Sequence, residues 1–272
     1  MTVIAAVAFA GLFTASCDVH GVSDPGTLSA ITVTPNPQVL AVNGTQQFTA
    51  IGTDFSGARV SITPTWSVAA GGGTISTGGV FTAAALAGTY TNTVMATSGG
   101  LSATATVVVT PGPLATIVVT PTPVLMESGT TQQFVAVGED AAGNIVQFTP
   151  TWSVVAGGGA VSGTGLFTAG AAAGTYTNTV QASAGGLTGT ATVTVVPGPL
   201  ASITLTPNPV TMYVGATQQF TAVGKDATGN VVPMTPVWSV VAGCGTLDGA
   251  GLFTAGTTPG NYSKNVKVTS GS

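Results

Sequence analysis

Residues 131–155 read TQQFVAVGEDAAGNIVQFTPTWSVV, and their pattern decides the fold. Thr131 to Val137 reads as a strand with Phe134 and Ala136 on one face, the period of two expected of a half-buried strand. The Thr and Val residues around it are stiff at χ1 and favour a pleated sheet. Asp140-Ala-Ala-Gly143-Asn144 follows as a turn, because Gly and Asn supply the positive φ of a tight reversal. Pro150 to Val155 is then a further strand, and it carries Trp152.

Outward from this stretch the same grammar continues. Ala115 to Thr120 (ATIVVT) reads as an opening strand that stops at Pro121. After the loop Gly157-Gly158-Gly159 comes a short strand, Gly165-Leu-Phe-Thr-Ala169, then Tyr176 to Ser183 and Leu187 to Val196. About seven short strands in about 80 residues, separated by turn residues, predict a β-sandwich.

The unit occurs three times at a spacing of 86 residues, with no insertion or deletion. Trp66, Trp152 and Trp238 keep that spacing, as do Phe48, Phe134 and Phe220, each within Thr-Gln-Gln-Phe. So do Tyr90, Tyr176 and Tyr262, and the Phe-Thr-Ala tripeptides that begin at Phe81, Phe167 and Phe253. The expected domains are residues 29–110, 115–196 and 201–272. Residues 18–28 precede them as a linker, and 111–114 and 197–200 join them as Pro-Gly-Pro-Leu. Short Pro-stiffened linkers favour an extended rod, about 100 Å long for three units end to end. By the same spacing the closing strand of the third copy begins only at about position 273. Two readings stay open. Residues 201–272 belong to a longer array, or their unpaired edge accepts a strand and the chain self-associates.

Composition limits the function. Charged residues make up 4% of the chain, against about 25% in ordinary soluble domains. Arg59, Lys225, Lys264 and Lys267 are the only basic residues, and the net charge is −4. That excludes the clustered basic patch a nucleic-acid partner requires, and electrostatic docking on anionic lipid.

The N-terminus reads as an export signal. Val3 to Phe13 is an apolar run of 11 residues, the length of a signal-peptide core and short of the about 20 that span a bilayer. Thr14-Ala-Ser-Cys17 then resembles the bacterial lipobox, with Thr14 where Leu is usual and no Lys or Arg before the run. The resemblance makes residues 1–17 a signal peptide and Cys17 a lipid-modified first residue, the one route to the membrane. The alternative is an ordinary cleaved signal.

The repeats as a whole resemble bacterial immunoglobulin-like domains of the group 2 type, found in tandem in invasin- and intimin-like adhesins. Ile117-Val-Val-Thr-Pro121, Thr131-Gln-Gln-Phe134, Trp152-Ser153, Gly165-Leu-Phe-Thr-Ala169 and Thr190-Ala-Thr-Val-Thr-Val195 carry the resemblance. It covers nearly everything after residue 28 and implies an all-β chain of tandem immunoglobulin-like sandwiches, serving as spacer, adhesin segment or carbohydrate-associated module.

Single residues read as structure. The three tryptophans and the Thr-Gln-Gln-Phe phenylalanines are assigned to the core. The three tyrosines are assigned to core or corner positions whose hydroxyls bond backbone. Asp54, Asp140 with Glu139, and Asp226 offer each turn one or two carboxylates, too few for a calcium ion that takes about six to eight oxygens. His20, the lone histidine, lies in the first linker with no partners for zinc or a catalytic triad. Cys244 stands where the other copies have Gly72 and Gly158, and reads as a loop thiol, either idle or linking chains.

The expectation is a non-catalytic exported surface protein with no cofactor and no metal site. It acts as a stalk, spacer or adhesin segment in contact with cell-surface or extracellular glycan or protein. The alternative is a polysaccharide- or cell-wall-binding module, with Phe55 and Tyr213 as exposed aromatics, accessory to an enzyme encoded beyond residue 272. Cys17→Ser is expected to move the exported protein from the detergent phase to the aqueous phase in a temperature-induced detergent partition.

Overall fold

The computed structural model describes residues 26–241 and 243–270; residues 1–17 with Cys17, and His20, lie outside them. Every regular element in the described residues is a β-strand. The chain divides into two compact units, Met1–Gly112 and Pro113–Ser272. The first holds one copy of the repeat and the second holds two.

The second copy shows the plan. Thr116–Thr120 pairs antiparallel with Val135–Glu139, which pairs in turn with Ile145–Val146. Beyond Pro121 and Pro123, which lack a donor for the ladder, the chain crosses to another sheet. There Val124–Glu127 runs parallel to Leu187–Val196, and Gly174–Ala184 and Thr151–Val154 complete four strands. Thr131–Gln133, Leu166–Ala169 and Gly159–Val161 form a third, small sheet. The first copy repeats the scheme 86 residues earlier, from Ala30–Thr34 to Leu101–Thr110.

One phenylalanine organises the centre. Between Thr131–Gln133 and Val135–Glu139 the strand breaks at Phe134 and changes partner. The Phe134 N–H donates to Gly165 O at 2.9 Å. The Gln133 side-chain amide donates to Phe134 O and Thr164 O, both at 2.8 Å, so the break leaves its polar groups satisfied. Gln47 and Gln219 do the same in their copies. The Phe134 ring is 1% exposed and meets Phe167 edge to face, centroids 6.1 Å apart at 89°, the favoured arrangement for two ring quadrupoles. Phe48–Phe81 and Phe220–Phe253 are arranged alike.

Trp152 covers this pair. It is half-buried against the core cluster, and not enclosed as a central core residue would be. Its indole lies on Gly165, where a Cβ would come within 2.9 Å of the ring and 2.6 Å of Phe134 O, and where φ is +84°. Only glycine fits. Trp66 over Gly79 and Trp238 over Gly251 repeat the contact, and those tryptophans too are half-buried.

The third copy departs from the plan. The sheet that has four strands in the other copies has two here, Pro236–Val240 and Val266–Ser270, and residues 210–213 form no strand where Val124–Glu127 does. Tyr262 corrects the core expectation: it is 41% exposed, while Tyr90 and Tyr176 are half-buried. A Cβ at Gly158 would lie 2.4 Å from the Tyr176 ring. At the corresponding position Cys244 lacks the positive φ of Gly158, so the backbone beneath the ring of Tyr262 takes a different course. Cys244 itself is 5% exposed in the third core, its thiol donating to Val241 O at 3.5 Å, which leaves it poorly placed to link chains.

Phe134→Ala is expected to destabilise the second sandwich by about 3–5 kcal/mol, read as a lowered denaturant midpoint. Leu125→Ala, at a site 70% exposed, should stay within about 0.5 kcal/mol.

Candidate functional site

The polar feature most elaborately built is a turn carboxylate. Asp226 opens the turn Asp226-Ala-Thr-Gly-Asn230 and is 4% exposed. Its Oδ1 accepts the Thr228 N–H at 2.9 Å, the Thr228 hydroxyl at 2.8 Å and the Asn230 N–H at 2.9 Å. These bonds fold the turn. Its Oδ2 accepts the Asn230 amide at 2.8 Å, and then leaves the third sandwich. It takes the N–H of linker residue Gly198 at 2.9 Å and the hydroxyl of Ser128, in the second sandwich, at 3.1 Å.

Asn230 completes the joint. Its Nδ2 donates to Ala171 O at 2.6 Å, and its Oδ1 accepts the Ala173 N–H at 3.0 Å. Both residues lie in the loop between Leu166–Ala169 and Gly174–Ala184 of the second sandwich. One side chain thus caps a donor and an acceptor of a neighbouring loop, while its remaining amide proton stays on Asp226. The Thr228 hydroxyl lies 3.2 Å from that of Ser128.

The other copies carry the same carboxylate. Asp54 Oδ1 accepts the Ser56 N–H, the Ser56 hydroxyl and the Ala58 N–H at 2.7–3.0 Å, and Oδ2 accepts the Gly26 N–H at 2.9 Å. Gly26 and Gly198 follow a proline in each case, and their spacing is twice that of the repeat. Asp140 holds the Ala142 and Asn144 N–H groups at 2.9 Å and the Asn144 amide at 2.8 Å. Where the second and third copies have Asn144 and Asn230, the first has Ala58.

These donors set the ionisation. For Asp54, the Ser56 hydroxyl, then the Gly26 N–H, holds the carboxyl below its ordinary value. For Asp226, burial pushes upward, but the Asn230 amide, the Gly198 N–H and the Thr228 hydroxyl outweigh it and hold the carboxyl far below the usual range. Lone pairs already directed at N–H and O–H groups do not face a cation. Among the described residues no three His, Cys, Asp or Glu side chains converge.

Of the residues singled out in the sequence, the phenylalanines and tryptophans come together within each sandwich, as described above. The tyrosine hydroxyls each donate to a carbonyl four residues upstream: Tyr90 to Leu86, Tyr176 to Ala172 and Tyr262 to Thr258, at 2.9–3.0 Å. Phe55 is 75% and Tyr213 89% exposed, and they lie on different compact units. The joint residues Asn230, Thr228 and Ser128 were not anticipated. The signal was present, in Asn at 144 and 230 and in Pro-Gly at 25, 111 and 197.

An opening strand that leaves one sheet to run parallel with the closing strand of another is how an immunoglobulin-like sandwich closes. The first two copies close this way and the third keeps their two three-stranded sheets, so the chain is of the tandem immunoglobulin-like class. Among solved structures, FdeC, an Escherichia coli adhesin, matches with a TM-score of 0.50 and 23% identity, over 90% of this chain and 98% of its own. Invasin, a bacterial integrin-binding protein, matches with a TM-score of 0.44 and 16% identity, over 86% of this chain and 55% of its own. The S-layer protein SbsC gives 0.33 and 20%, over 90% of this chain and 40% of its own. The likeness to FdeC is one of fold. No protein-family model matches the chain, and no curated protein matches it.

The Asp226 carboxylate contributes fully above the ordinary value of 3.8, and its contribution is lost as pH falls toward the much lower folded-state value. Acid titration of the Asp226→Asn variant should therefore be flatter below about pH 4 than that of the unaltered chain, measured by denaturant midpoints at each pH.

Proposed function

We propose that the chain is a non-catalytic segment of an exported cell-surface protein, a spacer or adhesin stalk of three group 2-type immunoglobulin-like domains. The domains are residues 29–110, 115–196 and 201–272, and the anchor is a lipid on Cys17. The observation that carries this reading is the joint at Asp226. A stalk transmits position only if its joints resist bending. Here one carboxylate and one amide tie a turn of the third sandwich to the linker and to a loop of the second. The adhesin likeness in fold and the signal-like N-terminus point the same way.

A second reading, binding of extracellular or cell-wall polysaccharide, draws on the exposed rings of Phe55 and Tyr213, since a solvent-facing aromatic offers a sugar a flat apolar surface.

Protease added to intact cells is expected to remove the repeats; protection until lysis would overturn the surface assignment. Spin labels on the second and third sandwiches should give a narrow distance distribution that broadens in Asn230→Ala. A distribution already broad in the unaltered chain would overturn the spacer reading. Binding to insoluble polysaccharide that is lost in Phe55→Ala or Tyr213→Ala would favour the second reading.

A further inference from the structure

The sheet formed by Thr116–Thr120, Val135–Glu139 and Ile145–Val146 gives one face to the core of the second sandwich, through Ile117, Val119 and Ala136. The alternate residues therefore take its outer face. There the register sets Val118 beside Val137, and Glu139 between Thr116 and Ile145. Val118 is 42% exposed, and Val135 and Ile145 are each 53% exposed. An aliphatic stripe thus crosses the sheet diagonally and ends at a carboxylate. Antiparallel sheets with one solvated face ordinarily turn polar residues outward. The first copy does so: at the positions of Val118, Val135, Val137 and Ile145 it has Thr32, Thr49, Ile51 and Arg59. The second copy keeps none of these polar residues.

The residue at the position of Glu139 selects what covers the stripe. In the third sandwich the same sheet is Ser202–Thr206, Thr221–Lys225 and Val231–Val232, and Lys225 stands where Glu139 does. Its outer face carries Val223 and Val231, 37% and 63% exposed, on either side of that ammonium group. Two second-sandwich faces brought together would set carboxylate near carboxylate, and two third-sandwich faces would set ammonium near ammonium. A second-sandwich face on a third-sandwich face brings opposite charges together and lays aliphatic residues on aliphatic residues. Sheets that pack face to face keep their strands nearly aligned. With Val135–Glu139 laid along Thr221–Lys225 in the same direction, Val137 meets Val223 and Glu139 meets Lys225. The apolar stripe supplies the attraction, and the charges fix the register and exclude like faces.

We propose that the outer face of the second sandwich docks on the outer face of the third sandwich of a second copy of this chain. A face of three short strands is small, so the association is weak and forms where chains are crowded side by side. The proposal goes beyond the spacer reading and does not rest on it.

The test uses the full chain, heavy-nitrogen-labelled and unlabelled in equal parts, at close to millimolar concentration. A carbodiimide then joins carboxylates to the amines they touch. The expected product is an amide between Glu139 and Lys225 that links a labelled to an unlabelled chain. In sedimentation equilibrium, Glu139→Lys or Lys225→Glu alone is expected to weaken association about fivefold. The two substitutions together should restore it. Val118→Thr with Val135→Thr, the residues both other copies carry at these positions, should weaken it to a similar degree. A chain that stays monomeric, an amide formed only within single chains or only between other residues, or a double charge variant that fails to re-associate would overturn the proposal.

Discussion

Each sandwich depends on a strand that breaks at a buried phenylalanine. Phe134 contributes its ring to the core and its backbone to the crossing between two sheets, and neither role is available without the other. A continuous strand would keep the ring in place and leave Thr131–Gln133 and Val135–Glu139 on one sheet. The break is tolerable because the Gln133 amide and Gly165 O take up the backbone groups it frees. Gly165 is in turn held to glycine by the Trp152 ring above it. Residues from three separate stretches of the sequence therefore constrain one another through a single peptide unit.

Much of this was legible in the sequence. Strand period, turn residues and the spacing of Phe and Trp are local or periodic signals, and each reports on one sandwich at a time. Thr-Gln-Gln-Phe was visible as a motif; its reason was not, because the role of Gln133 involves Thr164, which only the fold brings near. The half-burial of the tryptophans was likewise out of reach, since a small sandwich encloses its paired phenylalanines and uses the indole as a lid.

The joint escaped for a different reason. Asp226 read as a turn residue, which it is; its second oxygen serves another domain. A single side chain with one local and one distant role shows only the local one in sequence. Cys244 and Tyr262 show a related effect. The substitution at position 244 was plain, but its consequence depends on the aromatic ring that packs on glycine in the other copies.

The joint has a further consequence in a chain with 4% charged residues. Every group described on Asp226 is a neutral N–H or O–H. Attraction between opposite charges on a surface is weakened by dissolved ions over distances of about 10 Å or less. A contact made of short hydrogen bonds to one carboxylate offers little for those ions to shield. The coupling between the second and third sandwiches is thereby indifferent to salinity, so that this joint holds the same geometry in dilute and in briny surroundings.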